Sequence, residues 1–456
     1  MRTHLLLRAS VAALLLAAFP ASAQTKFPAT LEGHAVLPAL TLVPAPADAP
    51  QELQISGRYA GSPGQRVDAP ESVQAFSALS DKAAPRPTGL SLPLKGQPVQ
   101  GLSGIKNLKD GSYLAVTDNG FGSKANSPDA MLTFHVLKPD WKSGAVERVS
   151  TTFLHDPDRK VPFRIVNENT PKRYLTGSDF DLESIQPIGD ALWFGEEFGP
   201  FLIKTDRNGK VLQVVETKVD GKVIRSPDHP SVVMPGAPGP VKFEVRRSKG
   251  FEGMAASPDG KFLYPLLEGP LVTESGELEA KGGKRFLRIL EFDTAKGEYT
   301  GKSYKYALDA PTNSIGDFNM IDATSGLIIE RDDTEGDAVQ ACTAGAPKPD
   351  CFNVPARFKR IYKVDLGQAD ADGFVKKVGY IDLMDIQDPK KLARQGGKDG
   401  KLTFPFFTIE NVDLVDAEHI IVGNDNNLPF SSGRALGKSD DNELILLKVI
   451  DLLKAK

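Results

Sequence analysis

The stretch LESIQPIGDALWFGEE, residues 182–197, decides the fold, because it contains two short strands joined by a tight turn and it recurs along the chain. The other copies are LSGIKNLKDGSYLAVTD from Leu102, FEGMAASPDGKFLYPLLE from Phe251, GDFNMIDATSGLIIERD from Gly316 and IENVDLVDAEHIIVGND from Ile409. Strand-rich repeats spaced by several tens of residues are typical of a β-propeller, in which four-stranded blades surround a central channel.

Segments between the copies supply the outer strands of each blade, for example FLIKTD and KVLQVVET after residue 200. After the fifth copy only ELILLKVIDLL remains, so an N-terminal strand such as LQISGRY, residues 53–59, has to close the ring. We therefore predict an all-β propeller with five blades and an acidic channel mouth, or with six blades if residues 50–100 form a degenerate one.

Polar residues mark both ends of every copy, and nine of the ten marked positions are carboxylates, with Ser103 as the exception. The first marked positions are Ser103, Glu183, Glu252, Asp317 and Glu410, and the second are Asp118, Glu196, Glu268, Glu330 and Asp425. Positions equidistant from a hairpin turn face each other across an antiparallel ladder. We therefore expect the two marked residues of each copy to lie side by side at the channel mouth.

Carboxylates this close repel one another unless they are protonated or bind cations. The densest group is Asp179-Phe-Asp181-Leu-Glu183, whose acids alternate and share one face of a strand. Calcium takes six to eight oxygen ligands. Zinc and copper prefer histidine and thiolate ligands, and the sequence contains no cluster of these residues. We predict Ca²⁺, with Mg²⁺ as the alternative, bound by Asp118, Asp179, Asp181, Glu183, Glu196, Glu252, Glu268, Asp317, Glu330, Glu410 and Asp425. The competing interpretation of any single acid is a hydrogen bond that anchors one blade to the next.

The N-terminal segment has the features of an export signal peptide. Residues 1–23 combine Arg2 and Arg8, a short apolar run and an A-x-A site ending at Ala23. We expect an exported protein, periplasmic or secreted, with an Ala/Pro-rich linker at 24–50 and the propeller domain at 51–456. The formal net charge of −4 and the lack of a basic stripe argue against nucleic acid, and no apolar run is long enough to span a membrane.

The two cysteines, Cys342 and Cys351, lie in the Gly/Pro-rich segment CTAGAPKPDC. In an exported protein such a pair predicts a disulfide within a loop. Two longer inserts, 220–248 and 385–403, are expected to extend from the blade faces, where either could cover the mouth.

The segments GSDFDLESI, GEEFGPFLIKTDRNGKVL, KGFEGMAASPDGKFLY and IERDD resemble the phytase-like ("esterase-like activity of phytase") family of exported bacterial proteins. The likeness extends over most of residues 100–445 and includes the order of the acidic repeats. It implies a propeller with an acidic mouth and phosphoesterase activity, and calcium-dependent propeller phytases show how such a site could work.

The expected activity is metal-assisted hydrolysis of a small-molecule phosphoester by a monomeric enzyme, in which cations neutralise the phosphate and activate water. We assign catalytic roles to Glu183, Glu252 and Arg331, and substrate binding to Lys249, Arg173 and Arg331. A lactonase or carboxylic esterase that uses the same ion, and a non-catalytic binding module with structural calcium, are the alternatives. No G-x-S-x-G motif or histidine cluster supports other chemistry.

Overall fold

Five four-stranded blades are arranged as a propeller, and blades 1 and 5 are joined into one sheet by the parallel bridge between Ala145 and Val36. The computed structural model describes residues 24–61, 65–75, 86–237, 239–343 and 348–456. From the channel outward, blade 1 consists of Leu102–Asn107, Tyr113–Thr117, Thr133–Asp140 and Ala145–Phe153. Blade 2 consists of Leu182–Ile188, Ala191–Glu196, Phe201–Asp206 and Val211–Glu216. Blade 3 consists of Phe251–Ala256, Phe262–Leu267, Leu287–Asp293 and Glu298–Tyr306.

Blades 4 and 5 each include a strand from the N-terminus. Blade 4 consists of Ser314–Met320, Ser325–Arg331, Lys359–Asp365 and Lys376–Asp382, with the two-residue strand Lys26–Phe27 at its outer edge. Blade 5 consists of Thr408–Leu414, His419–Asp425, Asn442–Lys448 and the N-terminal strand Thr30–Leu37. The five-bladed propeller predicted from the repeats is confirmed.

Short elements lie outside the blades. The paired short strands are Leu42–Val43 with Gln97–Pro98, Glu71–Gln74 with Pro87–Leu92, Lys218–Val219 with Lys222–Val223, and Ala280–Lys281 with Lys284–Arg285. Ile386–Gln387, Gly397–Lys398 and Lys401–Leu402 extend the sheet next to Thr30–Leu37. Within the described residues the helices are the 3₁₀ turns Gln51–Gln54 and Ala338–Gln340 and the α-helix Ile450–Lys454.

Alternate side chains of each inner blade strand pack against opposite neighbours. In the second strand of blade 2, Leu192 and Phe194 join an apolar cluster with blade 1, whereas Trp193 joins one with blade 3. Trp193 meets Phe292 of blade 3 edge to face, with 5.2 Å between ring centroids. Because a strand has a two-residue period, apolar residues at every position bury both faces of a blade.

The ring is closed by an earlier segment than the sequence predicted. Thr30–Leu37 pairs antiparallel with Asn442–Lys448, and Leu31 and Ala35 are fully buried. The predicted closing strand, 53–59, instead overlaps a 3₁₀ turn and contains Gly57 at φ +81°. The closing strand therefore lies within 24–50, which was expected to be a linker. The described part of 50–100 forms paired short strands and no four-stranded blade.

All five inner strands carry a β-bulge near the channel mouth. The bulges contain Glu183, Glu252 and Glu410 in blades 2, 3 and 5, Ser103-Gly104 in blade 1 and Gly316-Asp317 in blade 4. A Cβ on Gly316 would come within 2.2 Å of the Ile409 carbonyl oxygen, so glycine allows the inner strands to approach. A bulge also redirects side chains, which matters for the acids.

The connections between blades lie at the end where the inner strands begin, which we call the mouth. The insert 220–248 joins blade 2 to blade 3 at this end, as expected. The insert 385–403 instead packs at the outer edge, where Arg394 donates hydrogen bonds to the carbonyls of Trp141 and Lys142. The predicted disulfide between Cys342 and Cys351 is present. The predicted signal, residues 1–23, lies outside the described residues.

No helix in the described ranges is long and apolar enough to cross a membrane.

Candidate active site

The bulges shift the pairing that the sequence predicted. Leu182, and not Glu183, pairs with Glu196, and Thr408, and not Glu410, pairs with Asp425. The predicted pairing of the marked residues is therefore wrong, by one residue in blade 2 and by two residues in blades 4 and 5. After this shift the equivalent positions at the end of the second strands are Asp118, Glu197, Glu268, Arg331 and Asp425. A slip of one residue moves a side chain to the opposite face of a strand, so it changes which residues face the channel.

Two predicted metal ligands consequently face away from the cluster. Glu196 accepts backbone hydrogen bonds from Phe198 at 2.7 Å, Gly199 at 2.8 Å and Phe201 at 3.2 Å. Burial raises the pKa of Glu196 to about 8, against the opposing effect of these amides. Glu330 accepts hydrogen bonds from Tyr306 Oη, Asn313 Nδ2 and Lys377 Nζ at 2.7–2.8 Å. Both carboxylates stabilise the connections around the mouth.

Replacing Glu330 with Ala is expected to destabilise the protein without changing ion binding. The substitution removes one of two carboxylate partners of the partly buried Lys377 ammonium, which keeps Asp309, and leaves the buried Tyr306 hydroxyl without its acceptor. A buried donor left unsatisfied costs about 1–3 kcal/mol. Denaturant unfolding monitored by tryptophan fluorescence measures the effect. Glu330→Gln, which keeps an acceptor oxygen, should lose less. Loss of calcium binding in either variant would instead place Glu330 in the cation site.

Three buried carboxylates form the centre of the site. Glu183, Glu197 and Glu252, which we call the inner carboxylates, are 7%, 5% and 5% exposed. They belong to three groups whose ligand oxygens lie within 4.8 Å of one another. The groups are the Asp181 triad (Asp181, Glu183, Glu197), the Glu410 triad (Glu183, Glu252, Glu410) and the Glu268 triad (Glu197, Glu252, Glu268).

No nitrogen or hydroxyl of the described residues donates a hydrogen bond to the inner carboxylates, and Glu252 Oε1 is fully buried without a partner. Burial, followed by Asp181 and Glu252, raises the pKa of Glu183 well above its usual range. Burial raises the pKa of Glu197 and Glu252 in the same way, with Glu268 and Glu410, respectively, as the next largest causes. Such a group is stable only if protons or cations compensate the negative charge.

The outer members of the triads do have partners. Asp181 accepts hydrogen bonds from Asn119 N at 2.9 Å and Asn119 Nδ2 at 2.7 Å. Glu410 accepts from Arg331 Nη2 at 2.9 Å and from Ser103 Oγ at 2.8 Å. Glu268 forms a short ion pair with Lys249. The outer members are therefore held in place, and the inner carboxylates are the ones left to bind a ligand.

Asp118 and Asp425 lie next to the triads at the same mouth. Burial, then Asp425, raises the pKa of Asp118 well above its usual range, and burial, then Glu410, raises that of Asp425 to about 8. Asp118 accepts a hydrogen bond from Gly120 N at 2.7 Å, and Asp425 accepts one from Thr408 Oγ1 at 3.0 Å. Neither belongs to a triad, but both add negative charge.

Three further predicted site residues lie apart from the triads. Asp317 accepts backbone hydrogen bonds from Ile105, Phe318 and Val412, which joins the inner strands of blades 1, 4 and 5. Asp179 accepts the amides of Val166 and Thr176, both at 2.8 Å. Arg173 pairs with Asp156 at 3.1 Å in the connection between blades 1 and 2. Their observed contacts are structural.

A cavity of about 640 Å³ adjoins the triads. Glu268 and Lys249 line it, and so connect it to the Glu268 triad. Its wall also carries three basic residues, Arg246, Lys284 and Arg285. An anionic molecule could therefore enter beside the carboxylates.

The basic wall was missed in the sequence because its residues come from the connection before blade 3 and from a two-residue strand, neither of which carries a recognisable motif. Glu197 was not among the predicted ligands, although it directly follows Glu196. The signal that could have corrected this is an alignment of the strand ends Thr117-Asp118, Glu196-Glu197, Leu267-Glu268, Glu330-Arg331 and Asn424-Asp425, whose second members share one position.

The fold and site together define a five-bladed propeller with a buried carboxylate cluster at one mouth of its channel. The chain belongs to the Phytase-like family, described as "Esterase-like activity of phytase", whose profile matches residues 97–428. The family resemblance seen in the acidic repeats is thereby confirmed.

The matches to similar proteins include different fractions of the chain. A protein of Arthroderma benhamiae named "Uncharacterized secreted protein" is 26% identical over 33% of this chain, and the match spans a third (33%) of that protein's length. The periplasmic gluconolactonase PpgL of Pseudomonas aeruginosa is 12% identical, with 83% of this chain and 98% of that chain covered and a TM-score of 0.30. The Dos1 propeller is 8% identical, covering 78% and 70%, with a TM-score of 0.29. These structural likenesses are too distant to carry an argument about activity.

Proposed function

We propose that this protein is an exported, calcium-dependent phosphoric-ester hydrolase whose site is the set of triads at the mouth. The observation that supports this most strongly is the trio of inner carboxylates, buried together without a hydrogen-bond donor among the described residues. The six carboxylates of the triads offer the several oxygen ligands that Ca²⁺ takes, and Mg²⁺ is the alternative. When bound, the cation would supply charge neutralisation for phosphoryl oxygens and lower the pKa of water.

The residues of the chain then have distinct roles in hydrolysis. Arg331 is 4% exposed and its Nε has no hydrogen-bond partner among the described residues, so it can donate to a phosphoryl oxygen. Glu252, with Oε1 free, can accept a proton from the attacking water, and Glu183 would be among the residues that hold the cation. As water adds to phosphorus, the bond to the ester oxygen breaks and the alkoxide takes up a proton, which gives an alcohol and a phosphate.

The basic wall favours a phosphate over an uncharged ester. Lys249 and the wall residues Arg246, Lys284 and Arg285 can attract an anion to the cavity. Part of the same wall is apolar, with Leu278, Leu308 and Pro311. A carboxylic esterase or lactonase, in which the cation polarises a carbonyl, is therefore the second candidate.

The test is the release of p-nitrophenol from its phosphate, its bis-phosphate and its butyrate ester, after chelation and again with calcium restored. We expect calcium-restored cleavage of at least one phosphate ester. Cleavage of butyrate alone would support the carboxylic esterase, and no cleavage of any ester would contradict the proposed activity. The same assay with magnesium distinguishes the two cations.

Replacing Lys284 with Ala is expected to reduce kcat/KM for the phosphate ester roughly tenfold, because local positive charge raises the concentration of an anionic substrate. Steady-state kinetics at low ionic strength measure the change. Lys398→Ala removes the same charge from the outer insert and serves as the control. Equal effects of the two variants would show that the cavity wall does not bind the substrate.

A further inference from the structure

Blade 4 differs from the other blades at the mouth. At the end of its second strand it has Arg331, where the other blades have Asp118, Glu197, Glu268 and Asp425. Its bulge consists of Gly316, which has no side chain, and Asp317. The Asp317 carboxylate accepts hydrogen bonds from the backbone amides of Ile105 and Val412. Blade 4 therefore contributes a positive charge and no triad carboxylate.

Arg331 forms an ion pair with the Glu410 triad. Its guanidinium donates to Glu410 Oε1 at 2.9 Å and to Asp333 Oδ1 at 2.6 Å, and its side chain is 5% exposed. The second oxygen of Glu410 accepts from Ser103 Oγ at 2.8 Å. Both oxygens of Glu410 are thus occupied, one of them by a buried cation.

The other two triads lack such a fixed counter-ion. Among the described residues, the nitrogen donors to the Asp181 triad are those of the neutral Asn119, and no cation pairs with it. The Glu268 triad has Lys249, but this side chain is 37% exposed and can move towards solvent. Counted without Asp118, Asp425 and the Asp333 that also pairs with Arg331, the six triad carboxylates would be matched in charge by one divalent ion in each of these two triads, together with Arg331 and Lys249.

We infer that Arg331 takes the place of a divalent ion in the Glu410 triad, so that cations bind in the Asp181 and Glu268 triads and not in the Glu410 triad. This inference rests on the proposed cation dependence and adds to it the assignment of ions to triads. Arg331 thereby also places a fixed positive charge next to the bound ions, where a phosphoryl oxygen would lie.

Calcium counting tests the assignment. The full chain is dialysed to equilibrium against Ca²⁺, and bound ions per chain are determined by mass spectrometry of the metal and by calorimetry. Arg331→Gln is expected to gain one bound ion and Asp181→Asn to lose one, relative to the unsubstituted protein. Arg207→Gln, which removes an exposed cation from the turn between Phe201–Asp206 and Val211–Glu216, is the matched control and should leave the number of bound ions unchanged.

Glu410→Gln gives an independent result if Arg331→Gln does not fold. The ion number should stay the same, because the Glu410 triad holds no ion; loss of one ion would overturn the assignment. An unchanged ion number in folded Arg331→Gln would also overturn it. If the unsubstituted protein binds no calcium at all, the proposed cation dependence fails together with the assignment, whereas failure of the assignment alone leaves calcium binding intact.

Discussion

Replacing Glu252 with Gln is expected to lower calcium-dependent hydrolysis by roughly 10²–10⁴-fold, the usual contribution of a positioned general base. Glu252 belongs to two of the triads, and its buried Oε1 has no partner in the described parts of the chain. Gln keeps the shape of the side chain but removes its charge and basicity. The effect is measured as kcat/KM on the phosphate ester at saturating calcium.

The same variant, which is expected to lose activity, is expected to gain stability in the absence of calcium. Without calcium, Glu252→Gln should melt at a higher temperature than the unsubstituted protein, because a buried charge beside Glu410, Glu268 and Glu197 is removed. Glu298→Gln, an exposed position on the outer strand of the same blade, is the control and should change neither property. Full activity in Glu252→Gln would remove Glu252 from the proposed mechanism.

The chelated protein is expected to lose stability as the pH rises from 5 to 8. The pKa values of Glu183, Glu197 and Glu252 are raised in the folded state, mainly by burial, and that of Asp425 is raised to about 8. A carboxyl of this kind contributes stability below its unfolded pKa of about 4.3, and that contribution is lost as the pH rises through the folded pKa. Each such group changes the free energy of unfolding by up to about 1.4 kcal/mol per pH unit.

Calcium should reverse this dependence, because the ion replaces the protons as the pH rises. Thermal unfolding in chelator and in saturating calcium, measured at pH 5, 6, 7 and 8, gives both trends. The calcium-induced rise in Tm should be largest at pH 8, and Glu252→Gln should show a shallower pH dependence in chelator. A Tm in chelator that stays constant or rises from pH 5 to pH 8 would contradict this prediction. It would mean that the negative charge of the buried carboxylates is neutralised by something other than protons or calcium.

The architecture could be predicted from the sequence because its signals are local and repeated. Each inner hairpin has a turn and apolar strands within less than twenty residues, and the copies follow one another in order. The closing strand could not be placed in this way, because its partner, Asn442–Lys448, lies some four hundred residues away. Nothing local distinguishes residues 30–37 from residues 53–59 as the partner.

The candidate site could be predicted by region but not residue by residue. A bulge inserts one residue into a strand, and it leaves no reliable mark in sequence. Counting outward from the turn therefore selected Glu196 and Glu330, whereas the structure places Glu197 and Arg331 at the equivalent mouth positions. The basic cavity wall depends on how long loops pack, which a repeat pattern does not encode.

The most direct measurement is the anomalous diffraction of a crystal grown or soaked in calcium, compared with a chelated crystal. We predict calcium peaks bounded by the inner carboxylates, with carboxylate oxygens at about 2.3–2.6 Å, in the Asp181 and Glu268 triads. The chelated crystal should show no such peaks. If saturating calcium produces no peak among Glu183, Glu197 and Glu252, the carboxylates are held by protons, and the central claim that they form a cation site is wrong.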